Sequence, residues 1–111
     1  MEDELKSCLE DILHSIALID TFFENVSSFE DYQQNLMLKS AVERKIEIIG
    51  EALNKALKID ANLAISNARK IVDMRNKLIH SYDDIDDIIV WASVKKYLPI
   101  LKGEVETLFK L

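Results

Sequence analysis

The chain has 111 residues, 49% of them hydrophobic, with two glycines, one proline and a formal net charge of −6. This composition indicates one folded domain, 1–111, and it excludes a disordered chain and a general nucleic-acid binder with a basic surface. The single cysteine, Cys8, excludes an intramolecular disulfide. We find no basic leader followed by an apolar run and no stretch of membrane-spanning length, so we expect a cytoplasmic protein that does not bind membranes.

The first half of the chain predicts two helices. Apolar residues recur every three or four positions over residues 3–25, which is typical of one buried helix face. Ser27 and Glu30 then have the spacing of a capping box and predict the start of a second helix. Gly50 lies inside that helix, and two explanations stay open for it: close approach of a neighbouring helix, or backbone room beside a site. The apolar stripe of the second helix is Leu38, Val42, Ile46, Ile49, Leu53 and Ala56.

The second half of the chain predicts a third helix at 66–80, after a break in which Asp60 or Ser66 could provide the cap. An acidic connector at 83–87 precedes a fourth helix, whose apolar stripe begins with Ile88 and Trp91.

Pro99 lies within the fourth helical pattern and predicts a kink or a break into two helices there. The predicted fold class is therefore all-α, an antiparallel bundle of four to five helices.

The third helix carries the most informative side chains. Arg75 shares a face with Ile71 and Leu78, and a guanidinium on a buried face needs a carboxylate, a phosphate or a subunit cleft. Asn76 and His80 are four residues apart and lie on an adjacent stripe. Arg75 and His80 are about 140° apart on an ideal helix. Either the helix ends before His80, or the arginine wraps round it, or a second copy completes the site.

An arginine and a histidine without metal ligands suit one reaction in particular. The 2′-hydroxyl of RNA attacks the adjacent phosphate, histidine exchanges the proton, and arginine stabilises the charge on the phosphate. DNA, which lacks the 2′-hydroxyl, would not be cleaved. From the residues alone, a structural salt bridge or a contact with the C-terminal end of the helix is the commoner explanation of such a pair.

The segment from Arg75 to Tyr82 has the pattern R-N-x-x-x-H-x-Y, which resembles the signature of HEPN-domain proteins. The tyrosine at its end resembles the one found in the HepT-like toxin branch of that family. The resemblance reaches beyond this segment. It also covers Ile46–Ala52 (IEIIGEA), Asp73-Met74, Ile85-Asp86, Val90-Trp91 and Leu98–Leu101.

The resemblance implies an all-α HEPN bundle that forms a symmetric homodimer, with two Arg/His strips facing a shared cleft. It implies a metal-independent endoribonuclease without a cofactor, in which Arg75 and His80 are catalytic and Asn76 supports them. Tyr82 would be the target of a cognate antitoxin, an MNT-type nucleotidyltransferase that transfers AMP from ATP and silences the nuclease. A larger hetero-oligomer with that partner is also open.

RNA could approach this acidic chain only at a local basic patch. Such a patch is offered by Arg69, Lys70 and Lys77, which together with Arg75 place four cations within nine residues. Two alternatives remain at this point. The chain could be a non-catalytic helical binding subunit of a nucleotidyltransferase, or a helical dimerisation domain in which Arg75 closes a buried ion pair.

Overall fold

The structure, a computed structural model, describes residues 1–80 and 86–110. Over these ranges the chain forms helices that pack antiparallel, in a body of 41 × 28 × 19 Å. The helices are α1 (Asp3–Phe22), α2 (Phe29–Gln34), α3 (Leu36–Ile59), α4 (Ala68–His80) and α5 (Asp87–Lys110). The predicted all-α class is confirmed. None of these helices is long and apolar enough to cross a membrane.

The core is formed by the facing sides of α1, α3, α4 and α5, and Tyr32 of α2 adds to it. The apolar stripes predicted for α1 and α3 are buried, and Cys8 is buried among them, where desolvation raises the pKa of its thiol. In α5 the predicted stripe is wrong at its first residue. Ile88 lies in the first turn of α5 and is 52% exposed, whereas Val90 is fully buried. The later residues of the predicted stripe, Val94, Leu98, Leu101 and Val105, are buried as predicted.

The start of the second helix differs from the prediction by one residue. Ser28, not Ser27, is the N-cap of α2, and its hydroxyl accepts a hydrogen bond from the Asp31 amide at 3.2 Å. Asp31, not Glu30, is the acidic residue with the matching spacing from this cap. Its carboxylate accepts a hydrogen bond from the Ser27 hydroxyl at 2.9 Å. Both pairs have the spacing of a capping box, so the pattern alone could not choose between them.

The predicted second helix is in fact two helices. Asn35 has an extended backbone, ends α2, and caps α3 through its side-chain oxygen, which accepts the Leu38 amide at 3.0 Å. Short polar side chains compete with helical hydrogen bonds in this way. Aromatic stacking fixes the short α2 to the bundle: the buried ring of Tyr32 lies 5.7 Å from the ring of Phe23 and 5.8 Å from that of Trp91.

Neither predicted cap of the third helix is used. The first turn of α4 begins with the Ile71 amide bonding to the Asn67 carbonyl. Ser66 instead donates its amide and hydroxyl to the carboxylate of Glu104 on α5. Asp60 is the C-cap of α3.

Pro99 does not divide α5, which is one helix from Asp87 to Lys110. The predicted break is wrong, and the fifth helix of the bundle is α2. Proline removes one backbone hydrogen bond and costs about 3 kcal/mol inside a helix. Here Pro99 is exposed, while Leu98 and Leu101 on either side of it are buried, and this packing keeps both halves of the helix on the core.

One end of the bundle is joined by an ion pair between α3 and α5. Lys39 lies 3.0 Å from Asp87, and both side chains are largely buried. Asp86 precedes α5, and its carboxylate accepts the Ile88 amide at 3.0 Å, so this part of the acidic connector does supply negative charge to the helix start. Residues 81–85, which include Tyr82 and the rest of the connector, lie outside the described residues.

The contact between α3 and α4 is unusually close at Gly50. A Cβ atom placed on Gly50 would lie 2.7 Å from Cγ of Arg75 and closer still to its Cβ. The first carbons of the Arg75 side chain thus occupy the space that any other residue at position 50 would fill. Both explanations offered for this glycine from the sequence describe the same contact, since the helix that approaches closely is the one that carries the candidate site.

We predict opposite stability changes at the two glycines. In Gly50→Ala the new methyl group collides with atoms next to the α4 backbone, so the helices must separate, and we expect a loss of about 1–3 kcal/mol. In Gly103→Ala a Cβ meets no atom within 4 Å, so the better helix propensity of alanine should stabilise the fold by about 0.5–1 kcal/mol. Urea unfolding of both variants tests this, and a Gly50→Ala variant as stable as Gly103→Ala would contradict the close contact.

Candidate active site

Arg75 lies in the seam between α3 and α4 with its side chain half-buried. Its Nη1 donates a hydrogen bond to Oδ1 of Asn76 at 2.9 Å, and its Nε is buried and has no hydrogen-bond partner among the residues that the structure describes. No carboxylate within residues 1–80 and 86–110 lies within 4 Å of the guanidinium. The nearest turn of α3 carries Glu47, but that carboxylate pairs with Arg44 at 3.1 Å. Most of the donors of Arg75 thus have no protein acceptor among the described residues.

His80 is the last residue of α4, and its side chain is exposed. The helix therefore does not end before His80, which removes one of the three geometries considered from the sequence. The Arg75 side chain does turn round the helix as far as Asn76. A site completed by a second copy stays a prediction.

Asn76 stands between the other two residues. On an ideal helix it lies about 100° from Arg75 and about 40° from His80, one turn before the histidine. Its amide oxygen accepts the arginine, so its NH₂ group is the part that remains free to donate. The three side chains form a continuous polar strip from the α3 seam to the exposed C-terminal end of α4.

The remaining predicted side chains do not form one patch. Lys70 and Lys77 line a groove between α4 and α5, whereas Arg69 lines the opposite side of α4, near Asn54 and Leu57 of α3. The structure thus separates the three predicted RNA-binding cations into a pair and a single residue.

The charge of α4 is opposite to that of the chain. It carries four cations (Arg69, Lys70, Arg75 and Lys77) and one carboxylate, Asp73, a net charge of +3 in a chain of −6. The last turn of α4 carries the basic residues Lys77 and His80. Basic side chains at this end interact favourably with the helix dipole, so these two residues also help to stabilise the helix. A net positive charge on one helix favours the approach of an anion to that helix.

The sequence indicated that Gly50 is unusual but did not connect it to Arg75. It did not indicate Tyr97 or Lys96 as candidate binding residues. Tyr97 lines the same groove as Lys70 and Lys77, and Lys96 lies over its ring. The signal for Gly50 was a glycine in a helix interior, where it is unfavourable. No sequence signal connected Tyr97 to α4, because that contact depends on how α5 packs against α4.

The arrangement can bind a phosphate and move a proton beside it. Arg75 offers a permanent positive charge with donors in a planar fork, Asn76 offers further donors, and His80 is accessible to a substrate. These are the functional groups that phosphodiester cleavage without a metal requires.

The chain is similar to proteins that are named as ribonucleases. Residues 12–108 match the family model described as "Ribonuclease HepT-like". A protein of Thermococcus cleftensis named "Probable ribonuclease HepT" is 38% identical over 112 residues, which covers 99% of this chain and all of that protein. A protein of Methanocaldococcus jannaschii named "Putative RNase MJ1216" is 35% identical over 108 residues, covering 96% of this chain and 88% of the relative. No solved structure gives a significant match.

The family match covers most of the chain, and these relatives are covered almost end to end. The chain therefore belongs to the HepT-like ribonuclease family.

Proposed function

We propose that this protein is a metal-independent endoribonuclease, the toxin of a toxin–antitoxin module, in which Arg75 and His80 carry out RNA cleavage. The observation that carries the proposal is the half-buried Arg75, which has no carboxylate partner among the described residues and is joined through Asn76 to the stripe of the exposed His80. A structural arginine would be expected to have a carboxylate partner there. A phosphate-binding arginine needs its donors free.

In the proposed reaction the 2′-oxygen of RNA bonds to the adjacent phosphorus and the bond from phosphorus to the 5′-oxygen breaks. A base takes the proton of the 2′-hydroxyl, and an acid gives a proton to the departing 5′-oxygen. Arg75 holds the non-bridging oxygens and stabilises the charge that develops on them, and Asn76 orients the guanidinium. The products are a 2′,3′-cyclic phosphate and a free 5′-hydroxyl.

This reaction supports a symmetric homodimer. A base and an acid are needed in the same step, and one imidazole can serve as only one of them at a time. The other histidine of the chain, His14, is exposed on α1, a helix that packs mainly against α3. A two-fold axis beside α4 would bring two His80 side chains to one phosphate.

We expect His80→Ala to lower the rate of RNA cleavage by about 10²- to 10⁴-fold, because it removes the proton-transfer group. The assay is cleavage of total cellular RNA by purified protein in EDTA, with His14→Ala as the matched control, which should cut like the wild type. Equal rates for the wild type and His80→Ala would sink the assignment. If the wild type does not cut and intact mass shows no modification, the alternative of a non-catalytic binding subunit replaces it.

For regulation, we propose that a nucleotidyltransferase of the MNT type silences the enzyme at Tyr82. The phenol oxygen bonds to the α-phosphorus of ATP and pyrophosphate leaves, so that AMP is added to the tyrosine. Tyr82 follows His80 by two residues. Added phosphates there would repel an RNA backbone and block its approach.

We expect the wild type, incubated with this nucleotidyltransferase and ATP, to gain mass in whole AMP units and to lose cleavage activity. Tyr82→Phe should gain none and should remain active in the same mixture. Tyr97→Phe is the matched control and should be modified like the wild type. Modification of Tyr82→Phe, or full activity of the modified wild type, would contradict the proposed regulation.

A further inference from the structure

A groove of about 250 Å³ runs between α4 and α5, apart from the strip of Arg75, Asn76 and His80. Lys70, Asp73 and Lys77 line it from α4, and Ile89, Ser93 and Tyr97 line it from α5. It exists because α4 packs extensively on α3 but touches α5 at few points. The groove is therefore an open surface that the fold leaves beside the basic helix.

Tyr97 is the aromatic residue that lines this groove. Its ring is half-buried and packed against the core, so its position is fixed. Nζ of Lys70 lies 5.2 Å from the ring centroid and donates a hydrogen bond to the tyrosine hydroxyl at 3.3 Å. Nζ of Lys96 lies 5.4 Å from the same centroid. An aromatic ring thus carries two ammonium groups, with Lys77 as a third cation in the groove.

Within the part of the chain that the structure describes, these lysines have no ionic partner, although the chain is acidic. Among the described residues, no carboxylate lies within 4 Å of Lys70, Lys77 or Lys96, although the chain has 20 acidic residues. Even Asp73, which lines the same groove, forms no ion pair within the described ranges. Lys70 and Lys77 line the groove together with Asp73, and Lys96 lies beside it over the Tyr97 ring, so the cations outnumber the carboxylate. The resulting positive charge suits a polyanion.

The groove leads towards the candidate active site. Lys77 precedes His80 by three residues, so the two are neighbours on the surface of α4, about 4.5 Å apart along its axis. Lys70 lies about 15 Å from His80 along the same axis. An RNA strand that follows Lys70 and Lys77 therefore extends for a few nucleotides along the α4–α5 seam, starting from a phosphate held at His80.

We propose that this groove is a binding subsite for single-stranded RNA that flanks the cleaved bond. One base stacks on Tyr97, and Lys70, Lys77 and Lys96 contact the backbone phosphates. An aromatic platform within a positively charged groove is how proteins bind single strands without reading sequence. In the free protein two of the lysines rest on the ring by cation–π attraction, and the arriving base displaces them towards the phosphates.

That the bound RNA flanks a cleaved bond rests on the proposed nuclease function, but the affinity of the groove for RNA can be measured without cleavage. The probe is a fluorescent single-stranded 2′-O-methyl oligonucleotide, which cannot be cut because its 2′-oxygen carries no proton. Affinity is followed by anisotropy over a range of salt concentrations.

We expect Tyr97→Leu, which keeps an apolar side chain, to weaken binding by about 5- to 150-fold, the range for losing one stacked base. Tyr97→Phe keeps the ring and should restore binding to near the wild-type value. Lys70→Ala and Lys96→Ala should each lower the slope of log affinity against log salt by about 0.7, the value for one phosphate contact on a single strand. Lys102→Ala, an exposed lysine of α5 away from the groove, is the control and should leave the slope unchanged.

Wild-type affinity and salt slope in Tyr97→Leu and Lys70→Ala would overturn the proposal. So would variants that bind RNA normally but lose a complex with the nucleotidyltransferase, since the groove would then serve a protein partner. The two proposals fail separately. If RNA binding depends on Tyr97 but no cleavage is found, the nuclease assignment fails and the RNA-binding groove is supported. If cleavage depends on His80 but RNA binding does not depend on Tyr97, the nuclease assignment is supported and the groove proposal fails.

Discussion

The passage of the Arg75 side chain across Gly50 is the constraint on which the site depends. A side chain at position 50 would fill the space that the first carbons of Arg75 occupy, so the glycine lets α4 lie close to α3 with an arginine in the seam. The buried stem then limits where the guanidinium can go. It reaches Asn76, on the way to the stripe that carries His80. A charged group that would otherwise remain mobile in solvent is held at the edge of the core.

A second property follows from how α4 is packed. It rests on α3 and leaves its α5 side largely open, so one basic helix presents two different surfaces. The strip that starts at the α3 seam ends at the exposed His80, and the lysines of the groove on the α5 side have no ionic partner within residues 1–80 and 86–110. In a chain of net charge −6, the net charge of +3 on α4 favours an anionic ligand at this helix. Our two proposals assign reaction and substrate binding to two faces of the same short helix.

The sequence predicted the long helices, because burial of one face imposes a period that can be read directly. It could not decide between Ser27 and Ser28 as cap, which satisfy the same spacing. The prediction from the sequence overestimated the effect of Pro99 on α5, because the burial of Leu98 and Leu101 outweighs one missing hydrogen bond. The residues of the strip were predictable from a local pattern. The groove at Tyr97 was not, because it depends on the packing of two helices, in which Lys70 and Tyr97 meet although they are 27 positions apart.

The most direct test of this account is the cleavage rate of Gly50→Ala compared with that of Gly103→Ala, under single-turnover conditions in EDTA at a temperature at which circular dichroism shows both to be folded. Gly50 touches no substrate in this account and acts only by placing Arg75. The account predicts that the folded Gly50→Ala variant loses about 10²-fold in rate, the cost of misplacing a catalytic group by about 1 Å, while Gly103→Ala cuts like the wild type. A folded Gly50→Ala variant that cuts at the wild-type rate would contradict it.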